Sequence, residues 1–240
     1  MKSSNTKETI DIQYIFNMDD EHRSEFTLQL NPEALDIIKQ HSDDTPEWAQ
    51  LEYMQCPHCP LHKEDSPCCP VATCLVNVID KFDDVVSYDT LELEVITEGR
   101  KVSQTTSAQK SISSLLGLMF ATSGCPHTNF FKPMARFHLP LASPQETVFR
   151  ATGMYLLSQY YAKQKGQNTD LELEGLKTIY SNLNILNTAI VKRIDAACST
   201  DSTKNAIVIL DMLANIIPIV IEDHLESIQH LFDSYIESNN

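Results

Sequence analysis

Apolar positions along this chain change their period near its middle. Between residues 8 and 30 they recur every second residue. Ile10, Ile12, Tyr14 and Phe16 alternate with Asp11, Gln13 and Ile15, then Phe26, Leu28 and Leu30 alternate on the return, with the polar stretch 17–23 between them. Period two is that of a strand with one face buried, so this segment predicts a β-hairpin. Asn31-Pro32 predicts the start of a short helix, with Asn31 as N-cap, Pro32 at the first helical position, and Leu35 and Ile38 facing inward. Residues 54–70 read as loop. Val71, Cys74, Leu75, Val78 and Ile79 recur at helical spacing and predict a helix over 70–81. A second hairpin follows: Leu91, Leu93 and Val95 alternate with Glu92, Glu94 and Ile96, Glu98-Gly99 turns, and Val102, Gln104 and Thr106 return.

From residue 107 the spacing is helical. Ile112, Leu115, Leu116, Met119 and Phe120 mark one helix, ended by Ser123-Gly124. A connector, Cys125 to Ala142, carries prolines at 126, 133 and 140. Ser143-Pro144-Gln145-Glu146 reads as a capping box opening a second long helix. A third is expected from Leu171 to Cys198, with Leu176, Ile179, Leu183, Leu186, Ile190 and Ile194 on one face. A fourth is expected from Thr203 to Glu237, kinked near Pro218. The fold class is α+β: a small antiparallel sheet of two hairpins, then a mainly helical, bundle-like half. The division falls at 1–106 and 107–240, within a single integrated domain spanning 1–240.

Composition narrows the functions. A formal charge of −15 and a pI near 4.8 argue against nucleic acid, whose phosphates need clustered Lys and Arg, and against anionic membrane surfaces. The same charge suits a basic protein partner or a bound cation. The first residues lack the apolar run of a signal peptide, and 206–221 is too short and too polar to span a bilayer. A cytoplasmic protein with reduced thiols is expected, since seven cysteines leave a disulfide framework one short of pairing.

Four of those seven cysteines precede proline: Cys56, Cys59, Cys69 and Cys125. Proline fixes its own φ and pushes the preceding residue toward extended backbone, so each thiol rides on a stiffened chain. Cys56 and Cys59 have the C-x2-C spacing that lets two thiolates face one ion. Cys69 stands where an N-cap would, before a helix starting at Pro70, and a helix N-terminus stabilises a thiolate. Cys125 is the natural fourth ligand, with His127 or His138 as substitutes. The set suits tetrahedral zinc, which is favoured, or an iron–sulfur cluster. Cys68, adjacent to Cys69, is an additional thiol. Cys74 and Cys198 fall on apolar helical stripes and read as packing.

A second constellation lies between Pro133 and Pro140. Read as extended backbone, it places Met134, Arg136 and His138 on one face, where Arg136 and His138 could hold an anion. Arg150, four residues after Glu146, reads as a helical ion pair. Asp211 sits in an apolar stretch and needs a partner. Tyr155, Tyr160 and Tyr161 read as helix packing, and His22, His41, His224 and His230 carry no assigned role.

The words CPHCPL, CPVA, SGCP and PMARFHLP, spread over residues 50–165, resemble those of an uncharacterised bacterial family of unknown function. The resemblance implies that Cys56, Cys59, Cys69, Cys125, Arg136 and His138 belong to the family pattern, and it implies no activity. The expectation is a cysteine-ligated metal-binding protein of regulatory or binding type. The alternative is a thiol- or metal-dependent enzyme or redox sensor using Cys125, Arg136 and His138, with Cys68–Cys69 or Cys56–Cys59 pairing as its redox chemistry.

Overall fold

The computed structural model describes residues 9–18, 22–38, 45–82, 85–197, 203–208, 210, 225–226 and 228–238. Two hairpins form one antiparallel sheet. Strands β1 (Ile10–Asn17) and β2 (Arg23–Leu30) pair with Tyr14 opposite Phe26, while β3 (Thr90–Thr97) and β4 (Arg100–Ser107) pair with Val95 opposite Val102. The hairpins join through β1 and β3, giving the order β2-β1-β3-β4. The alternation works as expected. Ile12, Tyr14, Phe16, Phe26, Leu28, Leu91, Leu93 and Val95 are buried on one face. Only Ile15 breaks it, since this residue of the opposite face is buried as well.

That apolar face is covered by α1 (Pro70–Phe82) and α2 (Ala108–Thr122). Phe82, at the end of α1, packs its ring 4.9 Å from Phe16 and 5.7 Å from Phe26, centroid to centroid. Such clusters contribute beyond the area they bury. α2 is buried on nearly every side, from Ala108 through Ile112, Leu115, Leu116 and Phe120 to Thr122. It ends as its sequence predicts, with Gly124 at φ +90°, a conformation glycine adopts without a Cβ clash.

A short helix, α3 (Lys132–Arg136), leads to α4 (Pro144–Gln164) and α5 (Glu174–Ala197). The capping box of α4 is present in full: Ser143 Oγ accepts from Glu146 N–H, and the Glu146 carboxylate accepts from Ser143 N–H. A second, smaller core joins Val148, Ala151 and Tyr155 of α4 to Leu173, Leu176 and Tyr180. Meanwhile Leu186, Ile190 and Ile194 of α5 enter the main core. Tyr160 and Tyr161, expected to pack, are exposed.

Three expected elements differ. Asn31 does cap, its side-chain oxygen accepting from the N–H groups of Glu33 and Ala34. One turn later Leu35 adopts φ +59° and the chain leaves the helix, because a single turn fixes many dihedrals for few bonds. Ile37 then bridges Leu30 and donates its N–H to Thr122, so Ile37 faces inward and Ile38 is exposed. The segment after Pro133 is helical rather than extended, since proline is as well accommodated in a first helical turn as in an extended strap. The last helix does not run unbroken to Glu237: residues 203–208 are helical, but turns at 230–232 precede a separate short helix, Asp233–Glu237. Asp211, Pro218, Cys198, His41 and His224 lie outside the described residues.

Candidate metal centre

Four cysteines reach one region from three directions. The Cys56–Cys59 loop closes on itself, Cys59 N–H donating to Cys56 C=O at 3.0 Å. Cys69 stands at the N-cap of α1: its carbonyl accepts from Thr73 N–H, the first helical bond, and its own N–H donates to Ala49. Cys125 lies in the turn after α2, where its N–H donates to Ser123 Oγ and its carbonyl accepts from Thr128. The distant segments are clamped together by two histidines. The His58 and His127 rings stack with centroids 3.9 Å apart. His127 Nε2 lies 3.0 Å from His58 C=O, and His58 Nε2 lies 3.0 Å from Asn182 C=O on α5. His127 is thus committed to a loop-to-loop clamp.

The thiols sense one another. Cys56 is raised to about 11, chiefly by burial and then by the neighbouring Cys69 and Cys59. Burial likewise pushes Cys125 up to about 12; the His127 N–H opposes this, while Cys69, Cys56 and Cys59 add to it. Yet among the described residues no group of three or more His, Cys, Asp or Glu side chains is placed to hold one metal ion. Cys69 and Cys125 lie in the main core, and Cys56 and Cys59 pack against it.

A residue absent from the sequence reading completes the region. Arg193 of α5 is 1% exposed. Its Nη1 donates to the carbonyls of Trp48 and Gln50 and its Nη2 to Leu51, at 2.7 to 2.9 Å. It is the one cation that lowers the Cys56 pKa, and its Nε has no partner. The sequence signal is its position: an arginine on the buried stripe between Ile190 and Ile194.

Of the other candidates, Cys68 is half-buried and bridges Gln50 through its backbone, and Cys74 packs against the main core. Among the described residues no cysteine is joined in a disulfide. Arg136 and His138 do not share a face. Arg136 is exposed at the end of α3, over the Phe137 ring. The His138 ring packs half-buried against Tyr14, with Nε2 2.5 Å from Tyr14 Oη, which also meets Ser114 Oγ and C=O. The guanidinium near His138 belongs to Arg150, whose Nη2 donates to Met134 and Phe137 carbonyls instead of closing an ion pair with Glu146.

The fold defines an α+β protein in which a four-stranded antiparallel sheet is backed by helices, with a cysteine cluster at the seam. The chain belongs to the family described as a domain of unknown function (DUF6901), whose pattern it matches over residues 12–233. No curated protein and no solved structure matches it. Among the described residues, no helix is long and apolar enough to cross a membrane.

Proposed function

We propose that Cys56, Cys59, Cys69 and Cys125 hold an iron–sulfur cluster, in a protein whose role is binding or regulation. The observation that carries this reading is that the His58–His127 stack holds the Cys56–Cys59 turn against the Cys125 turn, with all four cysteines in or against one core. An iron–sulfur cluster takes four thiolates, the number that the four Cys-Pro units supply. Cys-Pro also closes the cysteine run of bacterial ferredoxins. Buried Arg193 supplies a fixed positive charge beside a negatively charged thiolate cage, which such a site needs in a low-dielectric setting. Zinc is the second reading, favoured by the C-x2-C spacing alone. In either case the acidic surface, with 33 Asp and Glu against 18 Lys and Arg, suits a basic protein partner, and the cluster would fix the loops such a partner meets.

Anaerobic purification with metal and sulfide analysis and a visible spectrum tests this. A brown protein with iron and sulfide, bleached in Cys125→Ser and retained in Cys74→Ser, is the expected result. A colourless protein with one equivalent of zinc selects the second reading. A metal-free protein whose Cys56→Ser variant melts unchanged overturns both.

A further inference from the structure

Away from the cysteines, the inner face of the sheet runs out of apolar residues. On β4 the positions opposite Leu93 and Leu91 are Gln104 and Thr106. Instead of core they line a cavity of about 590 Å³, walled by α2, α3, the connector after it, α4 and α5. That volume is typical of small-molecule sites, which are largely apolar with a few convergent polar groups.

Two features give the cavity a preference. Among the described residues, its charged lining is Lys110 and Arg150, with no carboxylate, in a chain of net charge −15. The Arg150 bonds to Met134 and Phe137 use Nη2 only, which anchors the guanidinium without neutralising it. The second feature is Asn187. This residue is 0% exposed, lines the cavity, and leaves both its side-chain oxygen and its nitrogen without a partner. An unpaired buried amide is costly, and it belongs to α5, whose neighbouring turns present Leu183 and Tyr180 to the same space. An amide lacking both a donor and an acceptor is matched by a ligand group that offers both.

The geometry points to a binding site for a small organic acid: a carboxylate held by Arg150 and Lys110, an apolar body along Leu118, Phe131 and Leu141, and an internal amide paired with Asn187. The assignment stands apart from the cysteine reading, for it uses none of those residues.

Hippurate has this chemistry and serves as the probe. Titration of the full chain by calorimetry and by amide-resolved NMR compares it with two near-isosteres. These are its neutral primary amide, which lacks the charge, and 4-phenylbutyrate, which lacks the internal amide. Saturable binding of hippurate, tenfold or more tighter than either analogue, with shifts at Ser114, His138 and Tyr180, is the expected result. Arg150→Gln should abolish the preference over the neutral amide. Asn187→Leu should abolish the preference over 4-phenylbutyrate while raising Tm, because it removes an unpaired buried amide; a purely structural asparagine would instead lower Tm. Lys110→Gln, at an exposed position, should weaken hippurate without affecting the fold. Absence of saturable binding by either acid, equal binding of the neutral amide, or an Asn187→Leu variant that keeps the preference for hippurate over 4-phenylbutyrate would overturn the assignment.

Discussion

At the residue scale, the interior is held by a few polar side chains whose partners are backbone atoms. Arg193 is the clearest. It bonds three carbonyls of the segment 48–51, so α5 carries the seam that positions the 50s loop. Charged hydrogen bonds of this kind contribute about 1.5–3 kcal/mol each, and the orphaned carbonyls add to the loss. Arg193→Gln should therefore destabilise the metal-free protein by roughly 3 kcal/mol or more, read by urea denaturation; Arg193→Lys should rescue only part of this, since an ammonium cannot reproduce the planar fork. A second residue-scale test lies at Gly175. A Cβ there would collide with Tyr155 Oη, where Tyr155 and Gly175 N–H both donate to Asp170. Gly175→Ala should cost about 1–3 kcal/mol by displacing that pair, and the Tyr155→Phe background should recover much of it. Neither Arg193 nor Asn187 was legible as functional from composition. Each is a polar residue on a helical stripe that is otherwise apolar, and that mismatch was the available signal.

At the scale of elements, the hairpins and capped helices were legible because local chemistry and burial agree there. Alternation set both hairpins, and Ser143 to Glu146 set the start of α4. The misreadings came where two conformations share one local signature. Asn31 makes its caps whether or not a helix follows, and Pro133 fits a first helical turn as well as an extended strap. Placing Arg136 beside His138 followed from that second error, and a three-dimensional neighbour, Arg150, took its place. The connector's anchor is the His138–Tyr14–Ser114 network, and it sets a pH dependence. Burial chiefly, then Arg150 and Arg100, lowers His138 to about 4 from an ordinary value of 6.5. Below 6.5 the unfolded chain takes up a proton that the folded chain refuses. Stability is therefore complete above about 6.5, falls as pH drops, and levels off below about 4, a loss on the order of 3 kcal/mol. His58, lowered chiefly by burial and also by His127, acts in the same direction. Denaturant midpoints between pH 7 and 4 should show this slope, and His138→Gln should flatten it; an unchanged slope would place the loss in other groups.

At the scale of the whole molecule, the cysteines decide how the sheet half and the helical half behave as one body. Cys56, Cys59 and Cys69 belong to the first and Cys125 to the second, yet Cys69 and Cys125 both sit in the main core that spans them. That core already joins α1 and α2 to the sheet and to α5, so the fold does not depend on the thiols for its existence. What depends on them is the loops: the 56–59 turn and the 125–128 turn meet through one histidine stack, and each carries a thiol, Cys56 and Cys125, whose pKa is raised chiefly by burial. A bound centre would tie the loops together through shared ligation, and binding to the folded form alone stabilises it by mass action. The expected signature is local. Hydrogen exchange on the metal-loaded and chelated protein should differ most at 56–61, 68–70 and 125–128, with β1 and β3 nearly unchanged. Cys125→Ser should show the chelated pattern even in the presence of metal. Loss of protection across the sheet as well would mean that the centre holds the global fold together. No difference in the loops would remove the cysteines from any metal-dependent role and leave them as packing in a seam made by Arg193 and the histidine stack.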